Sequence, residues 1–251
     1  MSKVNMFRDL RACWARFTAR HASCLFTDYC FPPSTLPLAL LLCLAPAALL
    51  ADSHTWTGAG ADNMASTPAN WGGTAPVASD AIVLNATSHK EMTWNMTNMT
   101  VASWSQIGYL GTVTVATVYG TTGFTNLNIT GDCIISNGVW THAVNAGTEV
   151  SRISATIGGN LSVGPNAIID VTGKGYAASQ GLGVPLDGSG SYGGIWVGVG
   201  AGKCYGSITA PTNLGSGGRG NTPGPGGGAI MLRVVGGVGI NGAIRANGSE
   251  P

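Results

Sequence analysis

Short stretches of alternating apolar and small or polar residues, each ended by glycine or Asn-Gly, limit what this chain can fold into. The stretch GGVGINGAIRANG, Gly236 to Gly248, shows the pattern. A period of two places every second side chain on one face of a strand, and glycine permits tight turns between strands. A strand this short cannot bury an apolar face alone, so such strands must stack on one another.

The pattern recurs along the second half of the chain. The stretches FTNLNITGDCIISNGVWTH, ISATIGGNLSVGPNAIIDVTGKG and AIMLRVVGGVGINGAIRANG share an alternating strand, a turn that contains glycine, and a second short strand. Stacked copies of this unit would form a parallel β-helix, or β-solenoid, and the fold is therefore predicted to be all-β. The expected inward-facing pairs are Leu127 and Ile129, Leu161 and Val163, and Val238 and Ile240.

Strand patterns also occur before these copies. Val113 and Val115 alternate with threonine, which predicts a strand with both valines on one face. Earlier, Trp56 and Trp71 stand beside glycines and precede the apolar stretch AIVL, a composition typical of short strands and turns. We therefore expect a β-rich capping unit over 52–100 and β-solenoid coils over 101–251.

The beginning of the chain predicts export. Five of its twelve Lys and Arg residues precede residue 21, and the apolar run LPLALLLCLAPAALLA follows, ending in small residues. This order is typical of a secretory signal, so 1–51 is predicted to be a signal peptide with an extended basic region, cleaved near Ala51. A membrane-spanning helix is the alternative, but it needs about 20 apolar residues and fits poorly with Pro46.

A glycine-rich insertion is expected at about 175–228. A flexible linker would suit the glycine content. However, its tyrosines, Trp196 and the strand-like stretch GSITA are too apolar for a plain spacer, so we expect an ordered excursion from one side of the solenoid.

The ordered combination of these stretches resembles secreted bacterial β-helix proteins of the autotransporter-passenger and adhesin type. The resemblance is carried by TWTGAGADNMASTPANWGGTAPVASDAIVL, by GGNLSVGPNAIIDVTGKGY, by YGSITAPTNLGSGG and by GGGAIMLRVVGGVGINGAIRANG. It implies a right-handed parallel β-helix located outside the cell, and it implies no particular activity, since one fold hosts many functions.

Residues that could support catalysis are few. From Asp52 onward the chain carries seven basic and nine acidic residues, which gives no basic patch for nucleic acid or a membrane surface. Asp170 and Asp187, with Lys174 or Lys203, form the one cluster that could serve a carbohydrate-active lyase or hydrolase, because these residues flank the insertion. Turn capping and solvated surface positions are the expected roles of such residues.

The remaining motifs fail on spacing or context. GSGSYG, Gly188 to Gly193, matches a dinucleotide fingerprint but does not open a helix, and VGVGAGKC departs from a phosphate-binding loop at two positions. His54, His89 and His142 are isolated and are expected at the surface or in turns. Cys133 and Cys204 have no metal-ligand spacing and are expected as buried free thiols, with a disulfide as the alternative. No catalytic, cofactor-binding or metal-binding residue is therefore assigned.

The sequence thus predicts an exported structural or adhesive cell-surface module that is not an enzyme and needs no cofactor. One alternative is the carbohydrate-active β-helix enzyme; the other is a carbohydrate-binding module. Binding aromatic residues in that module would be Trp56, Trp71, Tyr192 or Trp196. Expected partners are further solenoid coils or domains of a longer chain and surface polysaccharide, because the sequence ends directly after a coil without a capping element.

Overall fold

The computed structural model describes residues 51–186, 188, 190–192, 203–207 and 209–250. The expected signal peptide lies outside the described residues, which all belong to one compact unit. The fold is all-β with mainly parallel pairing, as the alternation predicted, and its one helix among the described residues is a 3₁₀ turn at Pro68–Trp71. No helix in these ranges is long and apolar enough to cross a membrane. The strands are β1 Ser53–Thr55, β2 Ala81–Leu84, β3 Met92–Trp94, β4 Thr100–Val101, β5 Ser103–Gln106, β6 Thr112–Val115, β7 Thr117–Gly120, β8 Gly123–Phe124, β9 Leu127–Ile129, β10 Cys133–Thr141, β11 Ser151–Ile157, β12 Leu161–Asp170, β13 Ile230–Val234, β14 Val238–Ile240 and β15 Ala243–Arg245.

Parallel pairing aligns the inward side chains into three ladders. Each ladder is a row of residues that are direct neighbours on adjacent strands. Ladder 1 contains His54, Ile82, Trp104, Cys133, Leu161 and Val238. Ladder 2 contains Met92, Val113, Trp140, Ile169 and Ile244. Ladder 3 contains Val101, Ile129, Ile157 and Val234.

From Val101 onward the chain passes through the ladders in one order, ladder 3, ladder 1, ladder 2, and does so four times. We call each passage a layer. Val101, Ile129 and Ile157 are successive members of ladder 3, each 28 residues after the last. The segments that connect one layer to the next always follow the ladder 2 strand and span 116–126, 142–150 and 171–229. They therefore all leave at the same corner, the one between ladder 2 and ladder 3.

The interior between the ladders is filled by aliphatic and aromatic side chains. Trp94, Trp104 and Trp140 pack edge to face in a row, with ring centroids 5.2 Å apart in each pair. Gln106 is a buried polar residue of this interior, and both the oxygen and the nitrogen of its amide have a partner: it accepts a bond of 2.9 Å from the Trp140 indole and donates one of 2.7 Å to the Asn137 carbonyl. Paired in this way, Gln106 can be buried without the cost of an unsatisfied amide.

The first strands are covered by the segment that contains the 3₁₀ turn. Trp56 and Trp71 pack edge to face at 5.2 Å and are almost completely buried. The indole of Trp71 donates to the Ala65 carbonyl at 2.7 Å, and that of Trp56 to the His89 carbonyl at 3.0 Å. As a result Met92, the first residue of ladder 2, is fully buried.

The described part of the glycine-rich insertion packs backbone against backbone. Gly175 donates to the Gly226 carbonyl at 2.7 Å, and Gly215 donates to the Gly227 carbonyl at 2.8 Å. A Cβ atom at Gly226 would lie 2.0 Å from the carbonyl oxygen of Gly215, so no other residue fits there without displacing the neighbouring segment. Glycine is therefore required by close packing here, and the described segment is not a free spacer.

Two details of the sequence prediction are wrong. Val238 and Ile240 continue the ladder positions of Leu161 and Val163, as expected, but they are 59% and 40% exposed because they belong to the last layer and no described residue packs over them. The described residues of GSITA, 206–210, form no strand. The other expected pairs, on β9 and on β12, are buried, as are the two valines of β6.

Replacing Val163 by aspartate tests the inward face. Val163 is fully buried, and an unpaired carboxylate there should lower the free energy of unfolding by about 3 kcal/mol or more. Ser162→Asp is the matched control, since Ser162 precedes it on β12 and points outward. Urea unfolding of both variants measures the effect. Equal stabilities of the two variants would contradict the inward assignment of Val163, and a lower stability of Ser162→Asp would show that the two faces of β12 have been exchanged.

Replacing Gly226 by alanine tests the backbone packing. The added methyl group has no room against Gly215, and overpacking of this kind costs about 2 kcal/mol. Gly239→Ala is the control, because a Cβ atom there meets nothing within 4 Å. Thermal melts should separate the two variants, with Gly226→Ala melting lower. Indistinguishable melting temperatures would contradict the close approach of the two segments.

Candidate functional site

An open cleft lies between the glycine-rich insertion and the last layer. Its volume is about 990 Å³, at the upper end of the range of small-molecule sites. Ten of the residues that line it are glycines. The side chains that give the cleft its chemistry are Tyr192, Asn213, Arg219, Ile230, Ile244 and Ser249.

One wall is held by a row of aromatic and hydroxyl groups. The Tyr192 ring packs edge to face on Tyr205 at 5.1 Å. The Tyr205 hydroxyl donates to the Leu214 carbonyl and accepts a bond of 3.0 Å from Ser216. Burial raises the pKa of Tyr205 above its usual value, so this hydroxyl stays protonated and keeps its role as donor.

Arg219 is fixed through its backbone and free at its side chain. Its N–H donates to the Gly188 carbonyl at 2.8 Å, and its carbonyl accepts from the Gly188 N–H at 2.7 Å. The guanidinium is exposed and forms no ion pair with any described carboxylate. Among the described residues that line the cleft, Arg219 is the one charged side chain, so the described lining contributes a positive charge.

The floor of the cleft is anchored by His142, which is fully buried. The Ala229 N–H, next to Ile230, donates to Nε2 of His142 at 3.2 Å, so Nδ1 carries the proton and donates to the Ala143 carbonyl at 2.7 Å. Desolvation lowers the pKa of His142 to about 4, opposed by the bond to Ala143 and assisted by the positive charge of Lys174. The imidazole is therefore neutral near pH 7 and acts as a structural acceptor.

A cluster beside the cleft ties the insertion to the β7–β8 hairpin. The Arg152 guanidinium lies 3.9 Å above the Phe124 ring and donates to the Thr212 carbonyl at 3.0 Å. Glu149 accepts a long bond of 3.5 Å from the Asn213 amide. Burial lowers the pKa of Arg152 from its usual value, the positive charge of Arg233 adds to this, and the negative charge of Glu149 opposes it.

Among the described residues, the candidate acidic and basic cluster does not assemble around Asp170, which has the turn-capping role that was expected. Its carboxylate lies 3.9 Å from Arg245 and accepts a bond of 2.8 Å from the Thr172 N–H, which makes it a turn cap. Lys203 is exposed, and its backbone carbonyl accepts a hydrogen bond of 2.7 Å from the Ser191 hydroxyl. The Lys174 carbonyl likewise accepts from Asn145. Asp187 lies outside the described residues.

The aromatic residues expected to bind carbohydrate are only partly available. Trp56 and Trp71 are buried in the core, so their assignment to a binding surface is wrong. Trp196 lies outside the described residues. Tyr192 is half-buried and lines the cleft. Trp56 and Trp71 therefore belong to the packed interior of the first unit, where both indoles donate hydrogen bonds to backbone carbonyls.

The histidines and cysteines differ in their positions. His89 is exposed, as expected, whereas His142 is buried. The third histidine, His54, lies half-buried in β1 with Nε2 3.0 Å from Asp80. Cys133 is a buried free thiol whose pKa is raised by burial, while Cys204 is also free but exposed, against the expectation. The described residues contain no group of three His, Cys, Asp or Glu side chains that could hold a metal ion.

Comparison with known proteins adds no assignment. No family model, no curated protein and no solved structure matches the chain.

Arg219 and Asn213 are not among the site residues that the sequence predicted. The available signal was the isolated arginine in GSGGRGN, a charged residue within a glycine-rich stretch where charge is otherwise scarce.

Acid should destabilise the protein through His142. The unfolded histidine binds a proton near pH 6.5 and the folded one only near pH 4, so the unfolded state binds more protons between these values. Stability that is present above pH 6.5 is lost as the pH falls, by about 2–3 kcal/mol at pH 4.5.

Urea unfolding at pH 7.5 and pH 4.5 measures this loss against the His142→Gln variant. Glutamine can accept the Ala229 bond but does not titrate. The variant should lose less stability on acidification than the wild-type protein, and the other titrating groups cancel because both proteins carry them. An equal loss in both proteins would show that His142 is not buried in its neutral form.

Proposed function

We propose that this chain is an exported, right-handed β-helix (β-solenoid) that serves as a structural or adhesive cell-surface module without catalytic activity. The supporting observation is the repeated passage through ladders 3, 1 and 2 with in-register parallel pairing. Parallel strands that stack in this order favour a solenoid, and crossovers between parallel strands of one sheet are almost always right-handed.

The position of the connecting segments supports a role in binding. All three segments that follow ladder 2 leave at the same corner, while the layers themselves provide a regular support. Loops that a regular support holds in place are where proteins usually carry their binding residues. The cleft lies at this corner, between the longest of the three segments and β13 and β15.

Export is supported by the order of charge and hydrophobicity at the beginning of the chain. Basic residues precede an apolar run at 36–51 that ends in small residues, which is the arrangement of a secretory signal. The low charge and the many glycines of the rest suit a surface protein that builds its core from repeated small contacts.

A carbohydrate-binding module is the second candidate, and the cleft favours it. Tyr192 offers an aromatic surface, and Asn213 and Ser249 offer hydrogen-bonding groups in the same concave site. A carbohydrate-active enzyme receives less support, because Asp170 is engaged by Arg245 and by the turn that follows it.

A reporter fusion tests export. Residues 1–60 are placed before an alkaline phosphatase that is active only outside the cytoplasm. We expect activity, and amino-terminal sequencing of the exported product should begin close to Asp52. Leu41→Arg, which puts a charge into the apolar run, should abolish activity, whereas Leu10→Arg, in the basic region, should leave it intact.

The result that would contradict export is an intact apolar run in the membrane fraction or equal activity of both variants.

The non-catalytic role is tested separately, by incubating the purified protein with polysaccharides and measuring reducing ends. Release of reducing ends that is lost in Asp170→Asn would favour the enzyme and overturn the proposal.

A further inference from the structure

We propose that the cleft binds a short acidic oligosaccharide, one that carries a uronate or similar carboxylate. This inference rests on the proposed function only for the biological source of the sugar, a surface polysaccharide. The site itself is argued from its volume, its lining and its charge. The oligosaccharide is expected to enter along the open side of the cleft, between the insertion and the last layer.

The lining has the mixed character that a sugar ring requires. A pyranose has apolar C–H faces and polar hydroxyl edges, so its site needs flat apolar surface beside hydrogen-bonding groups. The apolar surface comes from Tyr192, Ile230 and Ile244, of which Ile244 is 45% exposed. The Asn213 amide and the Ser249 hydroxyl supply polar groups in the same cleft.

Glycine lets the wall segments of the cleft pack closely against the neighbouring backbone. A Cβ atom at Gly224 would lie 1.9 Å from the Ser249 carbonyl oxygen, and one at Gly227 would lie 2.0 Å from the Ala246 carbonyl oxygen. Neither wall segment can therefore carry side chains at these positions.

The charge of the cleft selects an acidic sugar. Arg219 is the one ionic side chain among the described residues that line it, and its guanidinium has no described carboxylate partner. A planar guanidinium can donate two parallel hydrogen bonds to a carboxylate, which fixes both position and orientation. Two backbone hydrogen bonds with Gly188 hold the main chain of Arg219 in place.

Other ligand classes fit these observations less well. A nucleic acid would need several cations along its backbone, and the described lining offers one. An extended acidic peptide could also meet Arg219, but recognition by strand addition needs a free strand edge, and the wall segments around Gly215 and Gly218 already pair with Gly227 and Gly224.

The test is calorimetric titration of the purified protein with trigalacturonate and with the neutral maltotriose. We expect trigalacturonate to bind at least about tenfold more tightly, because the charge-assisted bonds to Arg219 are absent for the neutral sugar. Its affinity should fall as the salt concentration rises. Arg219→Gln should remove the preference, while Arg233→Gln, an exposed arginine outside the cleft, should keep it.

A second variant tests whether the sugars bind in the cleft itself. Thr222→Trp places a large side chain on an exposed residue of the cleft lining, and it should abolish binding of both sugars while leaving the melting temperature unchanged. The proposal is overturned if no sugar binds, if both sugars bind equally, if both arginine variants behave alike, or if a glutamate peptide binds in place of trigalacturonate. These results do not depend on the export assay, so either proposal can fail alone.

Discussion

In-register stacking of inward side chains is the interaction on which the rest of the structure depends. Each ladder residue is covered by its equivalents in the layers before and after it, so a residue in the middle loses almost all contact with water. Ile169 is fully buried, whereas Ile244, its neighbour in the last layer, is 45% exposed. The same residue type in the same ladder thus gains or loses its hydrophobic stabilisation according to the presence of the next layer.

Some polar groups inside this stack find partners in neighbouring segments, whereas the indole N–H groups of Trp94 and Trp104 are buried without a partner among the described residues. Gln106 bridges the Trp140 indole and a carbonyl of β10, and neutral His142 accepts the Ala229 N–H at the start of the last layer. Gln106 links two successive layers, and His142 links the 142–150 connection to the start of the last layer, by hydrogen bonds that an aliphatic side chain could not make. They also make the stack sensitive to substitution, since a buried group left without its partner costs more than the bond contributes.

The cleft is a consequence of where the ladders allow the chain to leave. Connections of variable length always follow ladder 2, so the longest of them comes to lie beside the last layer. Its glycines let its segments approach one another closely, and Tyr192, Tyr205 and Ser216 hold one side open. Regular stacking and close glycine packing together place Arg219 in a concave site whose other described lining residues are uncharged.

The sequence by itself determined the all-β fold and the inward faces of β6, β9 and β12, because a period of two is a local property of the chain. It could not determine that Trp56 and Trp71 are core residues or that Val238 is exposed, since burial depends on which distant segment covers a side chain. The tertiary structure alone decided the site: Arg219, Asn213 and Ile244 meet only because parallel pairing brings segments together that are separated along the chain.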